Sequence, residues 1–114
     1  MLQKPKIGCV SEIKQSVIFD YSAIAHFNYI GNSILGQHIN FEADSLFANH
    51  YNERHDKHIF IKHNNQLIDT KTKKFGSLIG DNSKIGANAV LSPGTILEKS
   101  SIVKRLELIE QVNQ

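Results

Sequence analysis

The sequence predicts an all-β protein in which the chain winds into a parallel β-helix of three-sided coils. The main observation is an aliphatic residue at every sixth position, with a small residue four positions later in most repeats. An α-helix returns a residue to one face after three or four positions and a strand after two, so a period of six fits neither element alone. It fits short flat strands whose aliphatic residues stack along the axis of the coil. The unbroken series is Ile79, Ile85, Leu91, Leu97 and Val103.

The first half of the chain keeps the same period, with a one-residue slip between Ile13 and Ile18 and another between Ile30 and Leu35. Because three separate runs keep the period, we favour the coil over a β-sandwich with chance alternation. The members of these runs are Ile7, Ile13, Ile18, Ile24, Ile30, Leu35, Phe41 and Phe47.

Residues 49–77 interrupt the repeat and form an insert between two blocks of coils. The insert is polar and rich in histidine. It contains two short apolar runs, residues 59–61 and 67–68, on either side of the polar turn 63–66, a pattern that predicts a β-hairpin. Long loops that leave a repeat scaffold often carry function.

The end of the chain is interpreted as a separate tail, so that the β-helix domain covers residues 1–104 and the C-terminal tail covers residues 105–114. Leu106, Ile109 and Val112 stand at helical spacing in this tail. They predict a short amphipathic helix that covers the open last coil, whose strand edges would otherwise be unpaired. Fraying of the tail is the alternative.

The composition limits the class of protein. A chain of 114 residues has room for one domain, and a net charge of +2 with scattered lysines gives no reason to expect nucleic acid or a membrane as a partner. No apolar stretch approaches the roughly 18 residues of a spanning helix. The single cysteine, Cys9, cannot form an internal disulfide, so we expect a cytoplasmic protein.

The histidines of the insert raise the question of a metal site. No cysteine or carboxylate set completes a convincing tetrahedral site around them, so we expect no metal. A solvated polar loop is the preferred interpretation. These histidines are His50, His55, His58 and His63.

A thin solenoid of this length buries little surface of its own. Its flat faces offer further burial through association, and three-sided coils pack naturally about a three-fold axis. We therefore predict a homotrimer.

Two blocks of sequence carry a more specific signal. The first contains the residues SAIAHFNYIG at 22–31 and LGQHIN at 35–40, and continues without a gap to Asn49. The second resumes beyond the insert with IDT at 68–70, KFG at 74–76 and IGDN at 79–82. Over roughly residues 7–103 the chain resembles the acetyltransferase domain of bifunctional sugar-1-phosphate nucleotidylyltransferase/acetyltransferases. The length and hairpin of the insert resemble the archaeal-type members.

This resemblance implies a left-handed coil and a trimer with sites between subunits. It also implies transfer of acetyl from acetyl-CoA to the amine of an amino-sugar phosphate or a nucleotide-linked amino sugar. His26 matches the general base, a task that suits imidazole because it titrates near neutral pH. Lys14 matches a residue that holds the sugar phosphate, and Tyr29 and Asn40 match sugar and phosphate contacts.

Three further positions match the family's coenzyme site. Asn49 matches a residue at the acetyl end of the coenzyme, and Ala43 matches a position whose backbone amide could stabilise an oxyanion. Ala87 stands where relatives have a serine that contacts the coenzyme. Asp44 replaces a family glycine and adds negative charge, which would disfavour an anionic coenzyme.

Other departures leave a second function open. The sequence contains no counterpart of the family's phosphate-gripping arginine and has no room for the nucleotidyltransferase domain, so we expect a stand-alone, shortened relative without uridylyl transfer. A separate nucleotidyltransferase could be its partner. The alternative function is a non-catalytic β-helix module that acts by binding or assembly.

Overall fold

The computed structural model describes residues 5–112, and its regular elements in that range are short β-strands joined by turns. None of the described elements is a helix that could cross a membrane. In chain order the strands are β1 (Lys6–Ile7), β2 (Glu12–Lys14), β3 (Val17–Ile18), β4 (Ala23–Ile24), β5 (Tyr29–Gly31), β6 (Ile34–Leu35), β7 (Asn40–Phe41), β8 (Leu46–Phe47), β9 (Phe60–His63), β10 (Gln66–Asp69), β11 (Ser77–Ile79), β12 (Lys84–Ile85), β13 (Val90–Leu91), β14 (Thr95–Leu97), β15 (Ile102–Val103) and β16 (Leu108–Ile109).

All strands except β9 and β10 form three parallel sheets, which are the three sides of the solenoid. Sheet A contains β1, β4, β7, β12 and β15; sheet B contains β2, β5, β8, β13 and β16; sheet C contains β3, β6, β11 and β14. Each coil contributes one strand to each sheet in turn. This is the parallel β-helix that the sequence predicts, and it is consistent with left-handed coiling.

The sixth-residue series forms the core. In sheet A the register pairs Ile7 with Ile24, Ile24 with Phe41 and Ile85 with both Phe41 and Val103. Equivalent ladders fill sheets B and C. Most members of the three ladders are fully buried, and Ile7, at the first coil, is half exposed.

The two slips in the period are shortened corners. Each falls at the BC corner, the turn that joins a strand of sheet B to the next strand of sheet C. Because Ile13 and Ile18 still pair in register with Ile30 and Leu35, the loss of one residue shortens the corner and leaves the ladders intact.

Every corner that joins two solenoid strands directly contains a residue in the left-handed backbone region, with φ between 48° and 82°. Most are not glycine, so each costs of the order of 1 kcal/mol that the surrounding hydrogen bonds must offset. They are Val10, Phe27, Asp44, Asn88 and Leu106 at the AB corner; Gln15, Asn32 and Gly94 at the BC corner; and Tyr21, His38, Asn82 and Ser100 at the CA corner.

The insert leaves the solenoid at the BC corner of the third coil, between β8 and β11, and contains the expected hairpin. Strands β9 and β10 pair antiparallel, with His63 opposite Gln66. The two turn residues, Asn64 and Asn65, have φ of 50° and 61°. Two successive positive values are typical of the tight I′ turn, for which asparagine is well suited.

The first part of the insert packs against the outside of the solenoid. Tyr51 is 6% exposed, and its hydroxyl donates to the carbonyl of Pro93 at 3.3 Å. The guanidinium of Arg54 lies 3.6 Å from the centre of the Tyr51 ring and 3.4 Å from a Glu110 carboxylate oxygen. Burial raises the pKa of Tyr51, and the positive charge of Arg54 offsets part of that rise. The insert is therefore fixed to the last coils.

The predicted C-terminal helix is wrong over the described residues. Leu108–Ile109 instead pairs in parallel with β13, and Ile109 continues the ladder above Leu91. The Gln111 side chain then completes the edge of sheet C, because its amide donates to the Ile96 carbonyl at 2.8 Å and accepts from the Ile96 N–H at 2.9 Å. Pairing with an open strand edge satisfies backbone groups that a local helix would leave unpaired. Residues 113–114 of the predicted helix lie outside the described residues.

The core ladder gives a stability prediction. Phe47 is fully buried and packs on Phe41, with ring centres 4.6 Å apart. We expect Phe47→Ala to lower the free energy of unfolding by about 3–5 kcal/mol, as measured by urea denaturation at fixed protein concentration. Phe19→Ala removes a half-exposed ring and should cost less than about 1 kcal/mol. Equal losses for the two variants would contradict the assigned core.

The packing of the insert gives a pH prediction. Because the pKa of Tyr51 is raised in the folded state, its contribution to stability is complete below its ordinary value of 10.0 and is lost as pH rises through the raised pKa. The urea midpoint of the wild type should therefore fall more steeply above that pH than the midpoint of Tyr51→Phe. Tyr21→Phe, at a half-exposed ring, is the matched control and should follow the wild type. Identical curves for wild type and Tyr51→Phe would show that Tyr51 is not buried.

Candidate functional site

Three of the predicted site residues lie at the same position of the AB corner on successive coils. The carbonyl of His26 accepts from the N–H of Asp44 at 3.1 Å, and the carbonyl of Ala43 accepts from the N–H of Asn88 at 3.1 Å. Ala87 occupies the equivalent place one coil further on. Thus His26, Ala43 and Ala87 form one row along this corner, although the insert separates Ala43 from Ala87 in sequence.

The N–H groups of the left-handed residues at this corner donate to a backbone carbonyl of the preceding coil, as that of Asp44 does to His26, whereas in the described structure the N–H groups of the row residues do not. Among the described residues the N–H of Ala43 has no acceptor, which leaves it available to a ligand. The N–H of Ala87 is different, because it donates to a carboxylate oxygen of Glu42 at 3.0 Å. Arg105 lies 3.8 Å from the same oxygen. Sequence reasoning missed Glu42, since its partner Ala87 is brought close only by coil stacking.

The side chain of His26 is exposed at this corner. Its ring meets the ring of Phe27 edge to face, with centres 5.0 Å apart. In the described part of the chain no side chain hydrogen-bonds the imidazole, so both ring nitrogens are accessible to a substrate.

Asn40 projects from sheet A on the same coil as Ala43. It borders a groove of about 500 Å³ that is also lined by Lys84, Lys104 and Arg105. The groove runs beside the AB corner, and three cations and the Glu42 carboxylate line it.

The remaining predicted residues meet at the BC corner. Asn49 is 5% exposed, and its Nδ2 donates to the Tyr29 hydroxyl at 3.0 Å and to Asn32 Oδ1 at 2.8 Å. Lys14 pairs in register with Gly31, over which the Tyr29 side chain lies. A methyl group added at Gly31 would lie 2.5 Å from the Tyr29 oxygen, so a larger residue there would displace the Tyr29 side chain. Sequence reasoning missed Asn32, although an asparagine at a corner was a usable signal.

The seven predicted residues therefore form two groups within one chain. His26, Ala43 and Ala87 lie at the AB corner, with Asn40 nearby on sheet A. Lys14, Tyr29 and Asn49 lie at or beside the BC corner. Sheet B separates the two corners.

The insert histidines do not form a metal centre in the described structure. His58 Nδ1 lies 2.9 Å from an Asp56 carboxylate oxygen. Hydrogen bonds from the backbone N–H and ring of His58 lower the pKa of that carboxyl group. Within residues 5–112 no three histidine, cysteine, aspartate or glutamate side chains are grouped so that they could hold a metal ion.

Comparison with known proteins places this geometry in a family. No protein-family model matches the chain. A bifunctional sugar-1-phosphate nucleotidylyltransferase/acetyltransferase of Sulfurisphaera tokodaii is 34% identical over 86 residues, which are 75% of this chain and 21% of that protein. The bifunctional protein GlmU of Methanococcus maripaludis strain C5 is 35% identical over 86 residues, or 75% of this chain and 20% of that protein.

The bifunctional protein GlmU of Methanocaldococcus jannaschii is 30% identical over 86 residues, again 75% of this chain and 20% of that protein. The chain thus spans about a fifth of the length of the curated relatives it matches. Shared sequence over three quarters of its length, together with the ladders of a hexapeptide-repeat coil, identifies the chain as a homologue of the bifunctional sugar-1-phosphate nucleotidylyltransferase/acetyltransferases.

Proposed function

We propose that this protein transfers an acetyl group from acetyl-CoA to the amine of an amino-sugar phosphate or a nucleotide-linked amino sugar. The feature that supports the proposal most directly is the AB corner. There the exposed imidazole of His26 lies one coil away from the unpaired N–H of Ala43. A base and an oxyanion donor side by side are the two groups that acyl transfer to an amine requires.

The chemistry follows from these two groups. His26 takes a proton from the sugar ammonium, and the freed nitrogen lone pair attacks the thioester carbonyl carbon. The Ala43 N–H donates to the oxygen that becomes negative in the tetrahedral intermediate. When the carbon–sulfur bond breaks, the coenzyme leaves as a thiolate and takes the proton held by the imidazolium. The acylated nitrogen still carries one extra proton, which the regenerated imidazole of His26 accepts and releases to water. The products are the N-acetylated sugar, the free coenzyme thiol and one proton.

The basic groove beside the corner suits an anionic coenzyme. Lys84, Lys104 and Arg105 line it, together with the Glu42 carboxylate. The three cations outnumber this carboxylate, so the groove is basic.

The acceptor contacts come from the other group of residues. Lys14 supplies a positive charge for the sugar phosphate, and Tyr29 and Asn40 supply polar contacts. Because sheet B separates the BC corner from the AB corner of the same chain, we propose that a complete site combines residues of two subunits.

Outward-facing apolar ladders support assembly into a homotrimer. On sheet C the outer positions that pair in register are all aliphatic, and on sheet B most of them are apolar, whereas sheet A presents Asn40 and Lys84. Contiguous exposed apolar surface of this kind is typical of an interface. The ladders are Val17, Ile34, Leu78 and Ile96 on sheet C, and Tyr29, Leu46, Val90 and Leu108 on sheet B.

We also propose that the enzyme is cytoplasmic and works beside a separate nucleotidyltransferase.

The second candidate function is a non-catalytic module that binds a ligand or assembles with other subunits. One contact favours that alternative. The N–H of Ala87 already donates to the Glu42 carboxylate, so this backbone group cannot donate a hydrogen bond to the coenzyme.

Replacement of His26 tests the enzyme proposal. We expect the wild type to release coenzyme from acetyl-CoA with glucosamine-1-phosphate or galactosamine-1-phosphate. His26→Ala should lower kcat by about 10²–10⁴-fold, because general base catalysis is lost. A thiol-release assay measures the rate. His55→Ala, at an exposed histidine of the insert, should keep full activity.

Binding of acetyl-CoA separates the two candidate functions. A ligand that binds only the folded state raises the melting temperature, by an amount that grows with its concentration. A shift in wild type and in His26→Ala supports the enzyme. No shift and no turnover with both amino sugars would leave the non-catalytic module.

Charge on the outer ladder tests the trimer. Ile34 is 48% exposed in the single chain and lies in the middle of the sheet C ladder. Ile34→Glu should reduce the mass from trimer to monomer in light scattering after size exclusion, because a carboxylate would be desolvated at the interface. Lys84→Glu on sheet A is the control and should leave the mass unchanged. A trimer that survives Ile34→Glu would contradict the assigned interface.

A further inference from the structure

The side-chain amide of Asn49 is committed to its own protein. An amide nitrogen carries two hydrogens. One is donated to the Tyr29 hydroxyl at 3.0 Å and the other to Asn32 Oδ1 at 2.8 Å. The amide oxygen faces His50 Nδ1 at 3.3 Å. Since Asn49 is also 5% exposed, neither hydrogen is left for a ligand.

Asn32 fixes the direction of this amide. Its backbone bridges two coils, because its N–H donates to the Lys14 carbonyl at 3.0 Å and its carbonyl accepts from the Gly76 N–H at 2.8 Å. Its side-chain nitrogen donates to Gln15 Oε1 at 3.3 Å, which turns Oδ1 toward Asn49. With an oxygen on this side, only the nitrogen of Asn49 can face Asn32.

The orientation of the Asn49 amide determines which hydrogen-bonding role is left to the Tyr29 hydroxyl. A phenol has one proton to donate and an oxygen that can accept. Its oxygen already accepts from Asn49, and in the described residues its proton has no acceptor. The hydroxyl lies over Gly31, which pairs in register with Lys14. The hydroxyl that carries this proton therefore lies beside the backbone rung formed by Gly31 and Lys14.

We infer that Asn32 and Asn49 are positioning residues that orient the Tyr29 hydroxyl as a hydrogen-bond donor to the phosphate of the acceptor sugar. Lys14 supplies the charge and Tyr29 the directed donor. Asn49 thus acts on the acceptor through Tyr29. The inference rests on the proposed function, since it names how that site takes its phosphate.

A double-mutant cycle between Asn32 and Tyr29 tests the coupling. KM for glucosamine-1-phosphate, KM for acetyl-CoA and kcat are measured for Asn32→Ala, Tyr29→Phe and the double variant. Each single change should raise the sugar-phosphate KM by about tenfold, as expected for a hydrogen bond to a charged group. The acetyl-CoA KM should stay within about twofold. The double variant should be no worse than Tyr29→Phe, because Asn32 has nothing left to orient.

Two further variants keep the test valid if Asn32→Ala fails to fold, and they serve as matched controls. Asn49→Asp keeps the shape but can only accept, so the Tyr29 proton turns inward and the sugar-phosphate KM rises; in the Tyr29→Phe background the same change should have little further effect. Asn82→Ala removes a corner asparagine with φ of 63° on another side of the solenoid, and should change neither KM.

The outcomes distinguish failure of this inference from failure of the proposed acetyltransferase function. Independent effects of Asn32→Ala and Tyr29→Phe, or a rise in the acetyl-CoA KM instead of the sugar-phosphate KM, overturn the inference and leave the enzyme in place. A wild type with neither turnover nor sugar-phosphate binding overturns the proposed function, and the inference with it.

Discussion

The stacking of one aliphatic side chain per strand inside a three-sided coil is the constraint on which the whole structure depends. It holds each strand in register with the strand one coil away, as Ile24 is held beneath Phe41. Register then fixes every outward position as well, since side chains alternate between the two faces of a strand. The apolar outer ladders and the polar corners are both consequences of this inner stacking.

The candidate functional groups lie at or beside the corners of the coil. Each corner needs a left-handed residue, whose N–H donates to the preceding coil, as that of Asp44 does, while the N–H of the residue before it can stay unpaired among the described residues, as at Ala43. The AB corner collects His26 and the free N–H of Ala43, and the BC corner collects Tyr29 and its two amide supports. A regular solenoid therefore offers two different rows of polar groups. The width of a sheet keeps them apart within one chain, which makes association between chains part of the proposed chemistry.

The insert is joined to the solenoid at the same corner that carries Asn49. Its first residues include the buried ring of Tyr51, and Arg54 connects that ring to Glu110 on the last coil. The insert thus stabilises the end of the coil and supplies the amide that holds Tyr29. The first strand of its hairpin, β9, packs beside β14 of the solenoid, and the described histidines around the hairpin are not arranged as metal ligands.

The sequence by itself determined the period of six, the inward ladders, the two short corners and the hairpin, because each is a local pattern that one stretch of chain specifies. It also indicated His26, Tyr29 and Asn49 through resemblance. Only the tertiary structure decided that Leu108–Ile109 is a strand, since the partner edge belongs to another coil. It likewise decided that Glu42 accepts a hydrogen bond from the N–H of Ala87 and that Asn32 accepts one from the side chain of Asn49. These partners are far apart in the chain, and stacking of coils brings them within hydrogen-bond distance.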